Sequence, residues 1–148
     1  MKALRFLLIA IGLVGLVFIR VLEEKLFYDP FLKYFQQEFH TAEFPVFVWW
    51  KLIVSHFFRF LLNLFFSAIL LQGLFINRNW TLQAVFLMIL GFIILLPIYL
   101  LGLYTEMKWG YLFTFSVRKF VIQPVFLLLF IAVFYYKNRL EKIKKTDP

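Results

Sequence analysis

Long apolar runs separated by short polar breaks dominate the chain. The runs are Leu4 to Leu22, Val46 to Ile76, Leu82 to Tyr104 and Tyr111 to Tyr136, or spans of about 4-22, 46-76, 82-104 and 111-136. A helix that crosses a bilayer needs about 20 predominantly apolar residues. The pattern therefore predicts an all-α polytopic membrane protein with about four transmembrane helices in one membrane domain over 1-148. The first run is the shortest. Its uncharged centre, Phe6 to Ile19, has the length of a signal-peptide core, but no small-x-small cleavage site follows. With Arg5 and Arg20 reaching out to the two interfaces, the run spans. Gly12 and Gly15 give it a thin face for close helix contact.

The polar stretch 23-45 follows. Asp29-Pro30 has the form of a helix start, with Asp as N-cap and Pro at the first helical position. Tyr28, Phe31, Leu32, Phe35 and Phe39 then recur at helical spacing, with Lys33, Gln36, Gln37 and His40 between them. This predicts a short amphipathic interfacial helix after the first span, its aromatics in the headgroup region. Pro45 closes the segment. The second run would make about 46 Å of helix, so its first turns overshoot a core roughly 30 Å thick. Trp49-Trp50 suit an interfacial belt. Asn77-Arg78-Asn79 reads as a tight connection, and Pro97 predicts a kink in the third run. The fourth run carries Arg118, Lys119, Gln123 and Pro124 early and is uncharged later. A basic tail, 137-148, ends the sequence.

Composition narrows the class. Of 148 residues, 64% are hydrophobic and 16% charged, which suits a bilayer better than a soluble core. There is no cysteine, so thiolate metal sites, disulfides and Cys nucleophiles are out. Two histidines without a carboxylate cluster at ligand spacing predict no metal, and nothing in the pattern calls for a cofactor. The net charge of +8 reads as membrane orientation, with the lipid bilayer as partner and no nucleic acid. In a four-span arrangement the N-terminus, the 77–79 turn and the tail share one side, holding Lys2, Arg5, Arg78, Lys137, Arg139, Lys142, Lys144 and Lys145. Only Glu141 and Asp147 oppose them. The other side is mixed in sign. The positive-inside tendency then puts both N- and C-termini in the cytoplasm of a multi-pass inner (cytoplasmic) membrane protein.

Measured along the spans from that basic side, Arg20, Arg59 and Arg118 fall at nearly one depth, just inside the opposite interface. Lys119, His56 and Glu106 lie at or slightly above it, and the carboxylates Glu23, Glu24 and Asp29 are near. In the second run His56, Arg59, Asn63 and Ser67 fall within about 80° of helical arc. Such a stripe faces protein or water, since lipid cannot satisfy it. One reading is plain anchoring and packing, with Arg20 paired to Glu24 at i, i+4. The other is an outward-facing site for an anionic headgroup or a partner's carboxylate, which a planar guanidinium binds bidentately. Ser55, Ser67, Thr105, Thr114 and Ser116 lack a recognisable base around them, so catalysis is not expected. Transport is not favoured either: there is no internal repeat and no acidic residue near a midplane.

The run Arg20-Val-Leu-Glu-Glu-Lys-Leu-Phe-Tyr-Asp-Pro-Phe-Leu-Lys-Tyr-Phe35 resembles the exosortase F system-associated membrane proteins of Bacteroidetes. About 16 residues carry this resemblance, while size and span number agree in outline. It implies a bacterial inner membrane and a membrane exosortase as partner, working on sorting tails of exported proteins. Exosortase catalysis is attributed to Cys, Arg and His; a chain without Cys looks like an accessory protein, not the enzyme. The resemblance carries no catalytic residues over. The expected function is thus a non-enzymatic integral membrane accessory protein of an exosortase-type protein sorting system. The competing expectation is a small headgroup-binding protein or transporter component that uses the arginine layer.

Overall fold

The computed structural model describes residues 1–36, 43–122 and 125–146. They form seven helices: α1 (Lys2–Val21), α2 (Glu23–Leu26), α3 (Phe31–Gln36), α4 (Trp49–Phe75), α5 (Arg78–Tyr104), α6 (Tyr111–Ile122) and α7 (Val125–Thr146). No strand occurs among the described residues. The chain is an all-α membrane-spanning protein. Helices α1, α4 and α5 are each long and apolar enough to cross a bilayer, and α6 with α7 makes a bent fourth candidate. The outward faces of α1 (Phe6, Val14, Val17, Phe18) and α5 (Phe86, Ile93, Ile94) are exposed and apolar, the surface that hydrocarbon solvates.

α1 lies along α4 at very short range. A Cβ on Gly12 would stand 2.7 Å from the Leu70 Cβ, and one on Gly15 would enter the Phe66 ring. From the other side Gly73 of α4 meets Ile9 and Leu8. The small residues let the two backbones approach, as helix pairs in lipid require. Arg5 fastens the end of this pair. Its Nε donates to the Gly73 carbonyl at 3.1 Å and its Nη2 to that of Leu74 at 2.7 Å. Those carbonyls belong to the last turn of α4, where no intrahelical donor remains.

The α4–α5 connection is tighter than 77–79. Ile76 adopts a left-handed conformation (φ 52), and the Asn77 side chain accepts from the backbone N–H groups of Asn79 and Trp80. That N-cap lets α5 begin at Arg78, four residues before the apolar run. α5 continues unbroken through Pro97 to Tyr104. A turn with left-handed Glu106 and Met107 and with Gly110 at φ 115 then leads to α6. The fourth run, expected as one span over 111-136, is two helices whose axes differ by 64°. The tail expected at 137-148 is instead the second half of α7, helical as far as Thr146. Gln123, Pro124 and Asp147 lie outside the described residues.

Two apolar clusters stack along the bundle. The one nearer the basic end joins Leu70 and Leu71 to Trp80, Ala84, Met88, Leu127, Phe130 and Phe134. The other joins Phe31 and Phe35 to Leu52, Phe92, Tyr99, Leu103, Met107, Val117 and Val121. The short helix α3 is thus present where 23-45 predicts one, but its aromatics are covered by protein. Phe31, Leu32 and Phe35 are buried, and Lys33 and Gln36 stay exposed. Phe31 has Tyr34, Phe44 and Phe47 around it, and Phe35 packs against Tyr111 and Phe115. Gln37, Glu38, Phe39 and His40 lie outside the described residues. α1 ends level with Arg59, whereas α4 starts about ten residues, or about 15 Å, further on. Segment 22–36 folds back over the end of α1 beside this overhang, and the polar chemistry collects where the two levels meet.

Candidate functional site

Asp29 is the hub. Its carboxylate turns away from the α3 backbone and into the bundle, where the side chain is 1% exposed. Oδ2 accepts from Arg59 Nη1 at 3.3 Å and from Arg118 Nη2 at 2.5 Å. The capping role expected for Asp29 is replaced by this double ion pair, and only its main-chain oxygen serves the helix, accepting from Leu32 N–H. Two guanidiniums on one carboxylate oxygen form a stronger bond set than a single backbone contact.

A second carboxylate extends the chain of charges. Glu23, at the start of α2, accepts from Arg20 Nη1 at 3.1 Å and lies 3.9 Å from Arg59 Nη2. Arg20 therefore pairs at i, i+3 with Glu23 rather than with Glu24. The two glutamates are about 100° apart on a one-turn helix, so one faces the bundle and the other is exposed. The three arginines of the predicted layer come together in one network, Arg20–Glu23–Arg59–Asp29–Arg118, buried from Glu23 to Arg118 and exposed at its Arg20 end. Three cations share two carboxylates. Aromatic faces add to their solvation: Phe27 lies 4.9 Å from Arg59 and Phe35 lies 5.3 Å from Arg118. The network is not saturated. Asp29 Oδ1, Arg59 Nε and Nη2 and Arg118 Nε are buried without a hydrogen-bond partner among the described residues.

The stripe on α4 is buried along its length, with His56, Arg59, Asn63 and Ser67 all facing protein. His56 Nδ1–H donates to the Leu52 carbonyl at 2.9 Å, and the ring packs on Tyr99 at 5.3 Å. Since a carbonyl only accepts, this bond sets the tautomer and leaves Nε2 the open nitrogen. Asn63 Nδ2 donates to the Ile122 carbonyl at 2.8 Å. Ile122 ends α6 inside the bundle, where its carbonyl has no water to turn to. Asn63 thus satisfies the backbone at the break between α6 and α7.

Besides His56 and Asn63, which bond backbone carbonyls instead, three further predicted site residues stand apart from the network. Glu24 is exposed. Glu106 sits exposed in the turn after α5, because α5 runs on past the arginine layer before it stops. Lys119 is one position round α6 from Arg118 and is exposed, its Nζ 4.2 Å from the Phe115 ring centre. Tyr99, Phe27 and Phe35 border the charges and carry no sequence signal that separates them from ordinary core aromatics. Among the described residues no group of three His, Asp or Glu side chains could hold a metal ion.

Fold and site define a polytopic helical membrane protein built around a buried arginine–carboxylate network. No protein-family model, no curated protein and no solved structure matches the chain.

Proposed function

We propose that the protein is a non-enzymatic accessory subunit of an exosortase-type sorting system in a bacterial inner membrane. Both termini lie in the cytoplasm in this reading, and the network end faces the exterior. One observation carries it. The run Arg20 to Phe35, which bears the resemblance, is also the segment that Asp29 ties to α4 and α6 through Arg59 and Arg118. Its chemistry is spent on holding a folded surface against the bundle, as a docking subunit needs. Around that segment Tyr28, Gln36, Trp49 and Trp50 remain exposed, a mixed aromatic and polar surface of the kind that partner interfaces favour.

Co-purification from membranes in mild detergent tests this. The expected result is an exosortase-type enzyme that elutes with the protein and is lost on Arg59→Ala or Arg118→Ala but kept on Lys33→Ala. A protein that elutes alone, or equal tolerance of all three changes, would refute the accessory role.

A further inference from the structure

A cavity of about 130 Å³ opens between the end of α1, α3 and α6. Its charged lining is entirely basic: Arg20, Arg118 and Lys119, with Gln36 as a neutral donor and Phe35 and Phe115 as walls. Among the described residues no carboxylate lines it. One water occupies about 10–15 Å³ on such a measure, so the space admits a tetrahedral oxyanion. Arg118 is 94% buried, lines the cavity, and keeps an Nε that no described residue accepts from. Among the described residues the local balance is cationic: Arg20, Arg59 and Arg118 share Glu23 and Asp29, and Lys119 lies beside them with its Nζ over the Phe115 ring.

Depth names the anion. Arg5 and Arg20 are separated by about 22 Å along α1. Arg5 sits at the basic end beside the last turn of α4. The reach of two arginine side chains extends that distance to the spacing of the two phosphate layers of a bilayer. The cavity therefore stands where lipid phosphates are concentrated. We propose that it binds the phosphate of an anionic phospholipid headgroup in the leaflet at the network end. Arg118 and Arg20 supply planar donors and Lys119 a mobile charge. This proposal stands independently of the accessory role, because it needs no protein partner.

Native mass spectrometry of the purified full chain tests it, with phosphatidylglycerol, phosphatidylethanolamine or inorganic phosphate added. Arg118 is left in place because it holds Asp29. The Arg20→Gln/Lys119→Gln protein is compared with Lys33→Gln and with the unchanged chain, each after its melting temperature in detergent has been measured. Phosphatidylglycerol should bind in preference to phosphatidylethanolamine. The double change should weaken that binding by about 10-fold, the combined effect of two exposed charge pairs, at an unaltered melting temperature, and Lys33→Gln should leave it intact. Equal lipid binding by all three proteins overturns the site. Displacement of the lipid by millimolar inorganic phosphate overturns the lipid assignment and gives the cavity to a soluble phosphate.

Discussion

Asp29→Asn is the most informative single change. The substitution keeps size and shape and removes one negative charge from between two buried guanidiniums. An ion pair near 4 Å is worth about 4 kcal/mol at an effective dielectric of about 20. Asp29 holds two such partners, and its side chain is 1% exposed, so solvent screens neither. Part of the gross gain was spent on desolvating the charges. What remains at stake is the penalty for stranding a buried charge, about 3–5 kcal/mol. The expected outcome is a loss of that size in folding free energy, read by denaturant titration in detergent micelles. The paired change Asp29→Asn/Arg118→Gln removes one charge of each sign and should recover part of the loss, a non-additivity that a double-mutant cycle measures. Glu24→Gln, on the exposed neighbour, should stay within about 0.5 kcal/mol. A loss below about 1 kcal/mol for Asp29→Asn, or strict additivity in the cycle, would refute the hub.

Asn63→Leu should cost about 1–3 kcal/mol by leaving the Ile122 carbonyl without a donor, and amide exchange should quicken around the α6–α7 break. Gly12→Leu should push α1 off α4, since even a Cβ meets Leu70 at 2.7 Å; a cysteine cross-link between Ile9 and Gly73 positions would then form poorly. Arg5→Ala should free the last carbonyls of α4 and cost about 1 kcal/mol in the same denaturant titration. Reporter fusions at Lys145 and Lys33 should report opposite sides of the membrane; the same side would reject the four-crossing topology.

The arginine layer was legible for Arg20 and Arg59 because depth follows from counting residues along the regular helices α1 and α4; Arg118 joins them although the count to it crosses the 64° bend between α6 and α7. Their partners were not. Glu23 and Glu24 are equivalent as letters, and the choice between them depends on the phase of one short helix. Asp29 next to Pro30 carried a strong local cap signal, which two buried arginines outcompeted. The stripe His56–Arg59–Asn63–Ser67 announced a buried face, but the Ile122 carbonyl that Asn63 serves is a backbone group and leaves no mark in sequence. The aromatics of α3 looked ready for the membrane surface, because periodicity specifies an apolar face without saying what covers it. The helical end of α7 was hidden by its charge: Leu140, Glu141, Lys142 and Ile143 are good helix formers, and solvated lysines do not oppose a helix that extends beyond the bilayer.

Asp29 also sets an order of assembly. Its two arginines lie 30 and 89 residues downstream, so a chain made from its N-terminus presents the carboxylate to α4 well before α6 exists. Segment 22–36 is thus offered its two anchors in sequence, first α4 and, 59 residues of chain later, α6. Helix α6 completes the surface that the first loop began.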